Sequence, residues 1–341
     1  MAIPFNGSGL GSPALWHVRS TWRFGVPSRY EAPVDPDAAN NAHAYMVQMV
    51  GWNRRVLELG AASGHVTRAL IAQSCRVTAV EYDPEAAPEL RKIAQDVVIG
   101  DLNIPSTLAA LQPEFDVVLA GDVLEHLMDP QSVLNRVTSL LAPGGRVVVS
   151  LPHIAHVDVR LSLLQGRFDY SEWGLLDATH IRFFTLKRVM ETVKRAGLVM
   201  TELKRVRIPA FESELRVDRA SVPTAVLDAA LADPEAETYQ FVFTAVRDDG
   251  DFRTEQLANR NLELQAEMDR ILIEQHLAQI ESDARALSDA EATARADARA
   301  DDEGSQRAIA EEQLRALRQS RTFRYTSLPR KMYKRIRTSW S

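Results

Sequence analysis

The stretch VLELGAASGHVTRAL, residues 56–70, decides how the rest of the chain is read. An apolar run carrying one carboxylate, Glu58, leads into five small residues, Gly60, Ala61, Ala62, Ser63 and Gly64, after which the pattern turns amphipathic. That change of period predicts a buried strand, a tight loop and a helix. Small side chains let a loop backbone approach a ligand closely, and the start of the following helix offers unpaired N–H groups to an anion. The loop is neither G-x-G-x-x-G nor GxxxxGK[ST], which weakens a dinucleotide fingerprint and excludes a typical phosphate loop.

Working outward, RVTAVE, DVVIG, FDVVLA and RVVVSL read as further buried strands. Helical patterns lie between them at residues 65–73, 84–94, 130–140 and 186–196, the third closed by APGG, and another precedes them near 38–50. Strands alternating with helices predict an α/β domain over residues 38–248, a doubly wound, Rossmann-like, mostly parallel seven-stranded sheet. Residues 198–208 and 239–246 supply its last strands, the final one as an antiparallel edge. Residues 1–37, rich in Gly, Pro, Ser and aromatics, read as an extended leader.

The composition then changes. Residues 255–319 contain no Pro and a single Gly, and are dominated by Ala, Glu, Arg, Gln and Leu. Apolar positions recur at spacings of four and three at Ile273, Leu277, Ile280, Ala284 and Leu287, with a second set at Leu257, Leu264, Met268 and Ile271 out of phase with the first. This predicts a helical coiled coil with a discontinuity, and hence a homo-oligomer; a solvated single helix is the alternative. From Arg315 onward there are nine Lys/Arg and no acids, so against a net charge of −6 the rest of the chain carries −15. An acidic body with a basic end does not suit a general nucleic-acid binder. The tail at 320–341 interleaves its charges with aromatics and suits an anionic membrane surface or polyanion; a solvated basic terminus is the alternative. Cys75 is the sole cysteine among 341 residues, which rules out an internal disulfide and a cysteine-built metal site. Neither a secretory signal nor a membrane-length apolar run is present, so a cytoplasmic protein, peripheral at most to the inner face of a membrane, is expected.

Two further elements follow the loop. VTAVEYDP ends the second strand on Glu81, whose carboxylate can accept from vicinal hydroxyls, and VVIGDL ends the third on Asp101 and Leu102. Together with FDVVLAGDVLEHLMDP and LLAPGGRVVVSLPH, these segments resemble class I S-adenosylmethionine-dependent methyltransferases, across residues 38–247. The resemblance implies S-adenosylmethionine as cofactor. It assigns Gly60, Ala61, Ala62, Ser63 and Gly64 to the methionine part, Glu81 to the ribose, and Asp101 with Leu102 to the adenine; Asp122 and Val123 line the other side, and Glu58 and Tyr82 complete the set. Ala62 departs from the family's usual middle glycine and is compatible with the loop if its φ is negative.

Methyl transfer from a sulfonium needs alignment and, for a hydroxyl acceptor, a base. His126, His153, His156 and His180 fall after the fourth and fifth strands, where an acceptor sits. His126, His180 and His153 are the catalytic candidates, with structural hydrogen bonding as the alternative for each. His153 and His156, with Asp158 and Asp177, have a spacing that metals can use, but Pro152 makes a loop of that segment and no metal is assigned. VLEHL and DATHIRFFT resemble the substrate-side features of a bacterial subgroup that includes ubiquinone-pathway-like and sugar-modifying enzymes. SRTFRYTSLPRKMYKR resembles a short ending found on enzymes of surface-polysaccharide assembly. These imply O-methylation of a sugar hydroxyl on a small-molecule or lipid-linked glycan; a quinone or natural-product acceptor, or a scaffold acting through its long helix, are the alternatives.

Overall fold

The computed structural model describes residues 33–112, 114–250 and 252–319. The seven strands are β1 (Arg55–Leu59), β2 (Arg76–Glu81), β3 (Asp96–Ile99), β4 (Phe115–Gly121), β5 (Leu141–Pro152), β6 (Leu198–Arg207) and β7 (Thr238–Arg247). They form one sheet in the order β3-β2-β1-β4-β5-β7-β6. β1 to β5 pair in parallel, and β7 runs antiparallel to both of its neighbours. The expected antiparallel edge is corrected here: β7 is interior and β6 is the edge. Burial gives the reason. Residues 241–245 of β7 are buried on both faces, whereas β6 carries Glu202, Lys204 and Arg207, side chains that an edge can turn toward water. β5 also begins earlier than APGG suggested. Leu141 pairs with Phe115 across a register shift, and a Cβ on Gly145 would come within 2.9 Å of the Phe115 carbonyl.

Alternation along the strands splits the core in two. Val56, Val117, Leu119 and Val148 face α1 (Ala42–Val50) and α2 (His65–Ala72), while Leu57, Val118, Val149 and Phe243 face α4 (Pro130–Leu140) and α6 (Leu186–Arg195). α3 (Ala87–Ile93) follows a 3₁₀ turn at Pro84–Ala86 and covers the β2 side through Leu90. Helix starts follow local chemistry: the side chains of Asn41, Asp129 and Thr185 accept from backbone N–H groups three residues on, as N-caps do.

Two helices that the period did not reveal, α5 (Val157–Leu164) and α7 (Thr224–Leu231), join residues 175–176 and 215–217 in a separate apolar cluster. The segments that carry them leave the sheet after β5 and β6. They therefore lie at the strand ends where the loop after β1 opens.

α8 (Phe252–Gln319) is one helix of 68 residues. Its beginning belongs to the sheet domain: Ala258 is buried, Leu262 packs on the main core, and Gln265 Oε1 accepts the Leu203 N–H at 2.8 Å. The first compact unit therefore runs to Gln265, past the expected limit at 248, and Ala266 begins a second. In that second unit Met268, Ile271 and Leu314 are exposed. The stripe at Ile273, Leu277, Ile280, Ala284 and Leu287 falls on side chains outside the described set, as do residues 1–32 of the leader and the tail at 320–341. No helix among the described residues is long and apolar enough to cross a membrane.

Candidate functional site

The loop between β1 and α2 turns on two glycines that admit no side chain. Gly60 has φ +68°, and a Cβ there would meet Val123 Cγ2 at 2.7 Å; Gly64 has φ +77°, and a Cβ there would strike Ile93 Cδ1 at 2.7 Å. Ala62 also lies in the left-handed region, at φ +46°. The condition for an unstrained alanine, a negative φ, is thus not met, and the methyl group costs about 1–2 kcal/mol there. A specific contact offsets that strain: the Ala62 N–H donates to Glu81 Oε2 at 2.7 Å. Ala61 is buried against Ala79 and Leu90, and the Ser63 carbonyl accepts from Arg68 at 2.9 Å.

Glu58 lies beneath this loop. It is buried, and the Thr67 hydroxyl donates to it at 2.6 Å, fastening α2 to β1. Burial pushes its carboxyl up to about 7, against the opposing effect of the Thr67 bond and aided by the charge of Glu81. Among the described residues its one side-chain partner is Thr67, so Glu58 acts on the site by bracing it.

Glu81, at the end of β2, also accepts the Asp83 N–H at 2.8 Å through its other oxygen. A carboxylate has about four lone-pair sites, which leaves acceptor capacity for a diol. Tyr82 is exposed at the mouth. Asp101 closes a turn, accepting from the Asn103 backbone at 2.8 Å and side chain at 2.9 Å through one oxygen. Leu102 packs against the main core.

Across the opening, Asp122 (φ +53°) follows β4; its N–H and its Oδ1 both bond the Ser150 hydroxyl, and Oδ1 also accepts from Gln240. Val123 fills the space beside Gly60. The histidines nearest this loop are two that sequence reasoning passed over. His43 of α1 and His65, first residue of α2, approach Nε2 to Nε2 at 3.2 Å, edge to face. Burial holds His65 down to about 4, with the neighbouring His43 and Arg68 adding to the effect. His43 is also lowered by burial, against the pull of Asp122. A histidine immediately after a Gly-rich turn was the available signal.

Beyond β4 lies the 3₁₀ turn Leu124–His126, which carries His126 and two of its neighbours. The Glu125 carbonyl accepts the Ile181 and Arg182 N–H groups at 2.9 and 3.0 Å, which lays DATHIRFFT against the turn. His126 Nδ1 sits 3.2 Å from the Thr179 carbonyl and 3.1 Å from the Thr179 hydroxyl, which itself donates to Asp177 at 2.6 Å. A carbonyl only accepts, so in neutral His126 the hydrogen is on Nδ1 and Nε2 holds a lone pair. His180 stacks edgewise on His126 at 4.9 Å and approaches the Leu175 carbonyl through Nδ1; burial and His126 lower its pKa.

Between them is a group that the sequence reading used only as a neighbour. Glu125 is fully buried with neither carboxyl oxygen partnered among the described residues, and burial, then the charge of Asp122, pushes its pKa well up. Glu125, His126 and His180 each offer a donor atom within 4.8 Å of the other two, the one set among the described residues with a metal's ligand spacing. Burial disfavours the ionised form of Glu125, the form in which a carboxyl ligates an ion.

The other two histidines are buried and hydrogen-bonded to backbone carbonyls. His153 is buried, its Nδ1 bonded to the Thr238 carbonyl at 3.0 Å and its ring tilted on Phe241, so this catalytic candidate belongs to the β5–β7 interior and is absent from the His126 cluster. His156 caps α5, with Nδ1 accepting the Asp158 N–H and Nε2 bonded to the Ile208 carbonyl. Asp158 is taken by Phe211 and Ser213. The metal spacing weighed for these residues is not assembled.

The profile of a methyltransferase domain matches residues 34–203. The ubiquinone biosynthesis O-methyltransferase of Xylella fastidiosa (strain 9a5c) is 36% identical over 179 residues, covering 49% of this chain and 70% of that protein. Its namesake from Aeromonas salmonicida (strain A449) is 22% identical over 172 residues, covering 49% and 72%. Among solved structures, Burkholderia thailandensis 1,6-didemethyltoxoflavin-N1-methyltransferase, determined with 1,6-didemethyltoxoflavin and S-adenosylhomocysteine, is 23% identical, covering 62% of this chain and 80% of that one at a TM-score of 0.41. With over a third of residues shared across most of a known methyltransferase, and a domain profile running from before α1 into β6, the chain belongs to the class I S-adenosylmethionine-dependent methyltransferases.

Proposed function

We propose that this methyltransferase transfers the methyl group to a hydroxyl, with His126 as the base. The observation that carries the reading is the His126–Thr179 contact, which leaves Nε2 as the acceptor atom of a half-exposed imidazole just beyond β4. S-adenosylmethionine supplies an electrophilic methyl on a sulfonium. The chain's own part is to hold and to deprotonate. Residues 60–64 and the start of α2 receive the amino-acid end, Glu81 the ribose hydroxyls, and Asp101 with the Leu102 N–H the adenine. Asp122 and Val123 close the opposite wall. His126 Nε2 removes the hydroxyl proton, and the Thr179 carbonyl steadies the resulting imidazolium.

The acceptor in this reading is a sugar hydroxyl of a surface-glycan intermediate. Phe168, Tyr170 and Trp173, exposed on the segment that leads to His180, support it by offering apolar faces of the kind on which sugar rings stack. So does the basic ending, similar to those of polysaccharide-assembly enzymes. The long helix pairs with a second copy, and the tail attaches the enzyme to an anionic inner leaflet. A second reading, a phenolic hydroxyl of a quinone precursor, is favoured by the names of the relatives. A transfer assay with labelled S-adenosylmethionine, run in parallel on glycan-intermediate and quinone extracts, distinguishes them. Label appearing in the glycan fraction supports the first; label confined to the quinone fraction overturns it.

A further inference from the structure

α6 carries Arg188, Thr192 and Arg195 at spacings of four and three, one face of a helix. That face borders a cleft of about 220 Å³, closed on its other sides by residues 128–131, which lead into α4, and by residues 182–184. Three guanidinium groups, Arg182, Arg188 and Arg195, and one carboxylate, Asp129, line it. Asp129 Oδ1 accepts the Ser132 N–H at 3.1 Å as the N-cap of α4, and its single negative charge is outnumbered by the three arginines. Arg182 is held by the carbonyls of Ile181 and Met128, which leave its charge uncompensated. Arg188 meets Glu191 at 3.6 Å with both side chains about half exposed, a weak pairing. Arg195 forms no ion pair among the described residues.

Like charges gathered round one cleft repel unless they share an anion. Guanidinium forks match phosphate oxygens two at a time. The volume is smaller than the roughly 300–1,000 Å³ of pockets that enclose a drug-sized ligand, so it suits one charged group rather than a whole acceptor. Its position ties it to the chemistry. Arg182 is two residues beyond His180, and Met128, whose carbonyl holds it, is two beyond His126. Residues two along the chain from His126 and from His180 thus line the cleft.

We infer that this cleft binds a phosphate or diphosphate group carried by the acceptor, and so anchors the molecule whose hydroxyl faces His126. The inference rests on the hydroxyl-methylating reading above and adds a chemical class to its substrate. Sugars awaiting assembly carry such groups either as soluble nucleoside diphosphate sugars or as lipid-linked diphosphates.

Isothermal titration calorimetry of the full chain with inorganic pyrophosphate tests it. We expect saturable binding that weakens about tenfold or more in the R188Q/R195Q double variant, as loss of charge-assisted bonds requires, while affinity for S-adenosylmethionine is unchanged and reports an intact fold. No binding, or binding that the double variant leaves intact, overturns the inference. Uridine diphosphate and farnesyl diphosphate, in separate competition arms, distinguish the soluble from the lipid-linked source. Competition by either supports an acceptor site, and competition by neither overturns that assignment. Transfer to a phosphate-free methyl glycoside separates the two levels. If transfer persists without pyrophosphate binding, the cleft fails alone; if pyrophosphate binds but no hydroxyl is methylated, the hydroxyl reading fails and the anion site stands.

Discussion

The Ala62 N–H donates to Glu81 Oε2 at 2.7 Å, so the strained turn of the loop and the carboxylate that ends β2 hold each other in position. The same carboxylate holds Asp83 through its other oxygen, which makes it the fastener between the first two strand ends. Glu81→Ala is expected to weaken S-adenosylmethionine binding about 10- to 100-fold, from the roughly 1.5–3 kcal/mol of a hydrogen bond to a charged group. Calorimetric titration checks it, and an unchanged Kd removes Glu81 from the site. Ala62→Gly relieves the left-handed strain and should raise stability by about 1 kcal/mol, less the entropy that glycine adds to the unfolded chain.

A pH dependence follows from Glu58. Its folded pKa of about 7 exceeds the ordinary 4.5, so between those values the folded chain holds a proton that the unfolded chain has released. The contribution of Glu58 to stability therefore falls as pH rises from about 4.5 through about 7 and is constant above, while the lowered His65 contributes in the opposite sense. Glu58→Gln cannot ionise, and its stability relative to the parent should climb across that window by up to about 3 kcal/mol. Melting curves at pH 5 and pH 8 measure it; a difference between parent and variant that does not change with pH contradicts the burial assigned to this carboxyl.

His126 and His153 should fail in different ways. His126→Ala is expected to lower kcat about 10²- to 10⁴-fold with cofactor affinity retained, the usual worth of a general base. His153→Ala breaks the buried bond to the Thr238 carbonyl and should cost about 1–3 kcal/mol of stability, with kcat per folded molecule retained. Paired melting and steady-state measurements separate the two, and a His153 variant that is stable but inactive would reverse the assignment.

The strands and the loop were legible because each is a local pattern: a short apolar run is a strand whatever it pairs with, and GAASG is a turn wherever it sits. Strand order was not local. Nothing within TYQFVFTAVR states that β6 lies outside it, although the charges at Glu202, Lys204 and Arg207 on the other strand were a usable sign of an edge. The φ of Ala62 depended on a bond to Glu81, nineteen residues away. Glu125 stood in the sequence only as part of VLEHL; its burial depends on a distant segment, residues 181 and 182, whose N–H groups bond its carbonyl. Of the four histidines singled out, sequence position alone could not separate His126, turned to a half-exposed surface, from His153, turned into the core.

The limit of the folded domain is a separate expectation. A chain ending at Gln265 keeps Ala258, Leu262 and the Gln265 bond to β6, while one ending at Asp248 loses them. The shorter piece should be less stable by about 2–4 kcal/mol, the worth of one or two buried apolar side chains and a hydrogen bond. Urea unfolding of the two truncations decides it; equal midpoints would mean that the start of α8 adds nothing to the first unit.

The central claim is tested most directly by transfer of a labelled methyl group from S-adenosylmethionine to an oxygen acceptor, measured in the parent and in His126→Ala at saturating cofactor. The account predicts label on a hydroxyl oxygen in the parent, lost with His126 while S-adenosylmethionine still binds. Label on nitrogen or carbon, or undiminished transfer in His126→Ala, would contradict it.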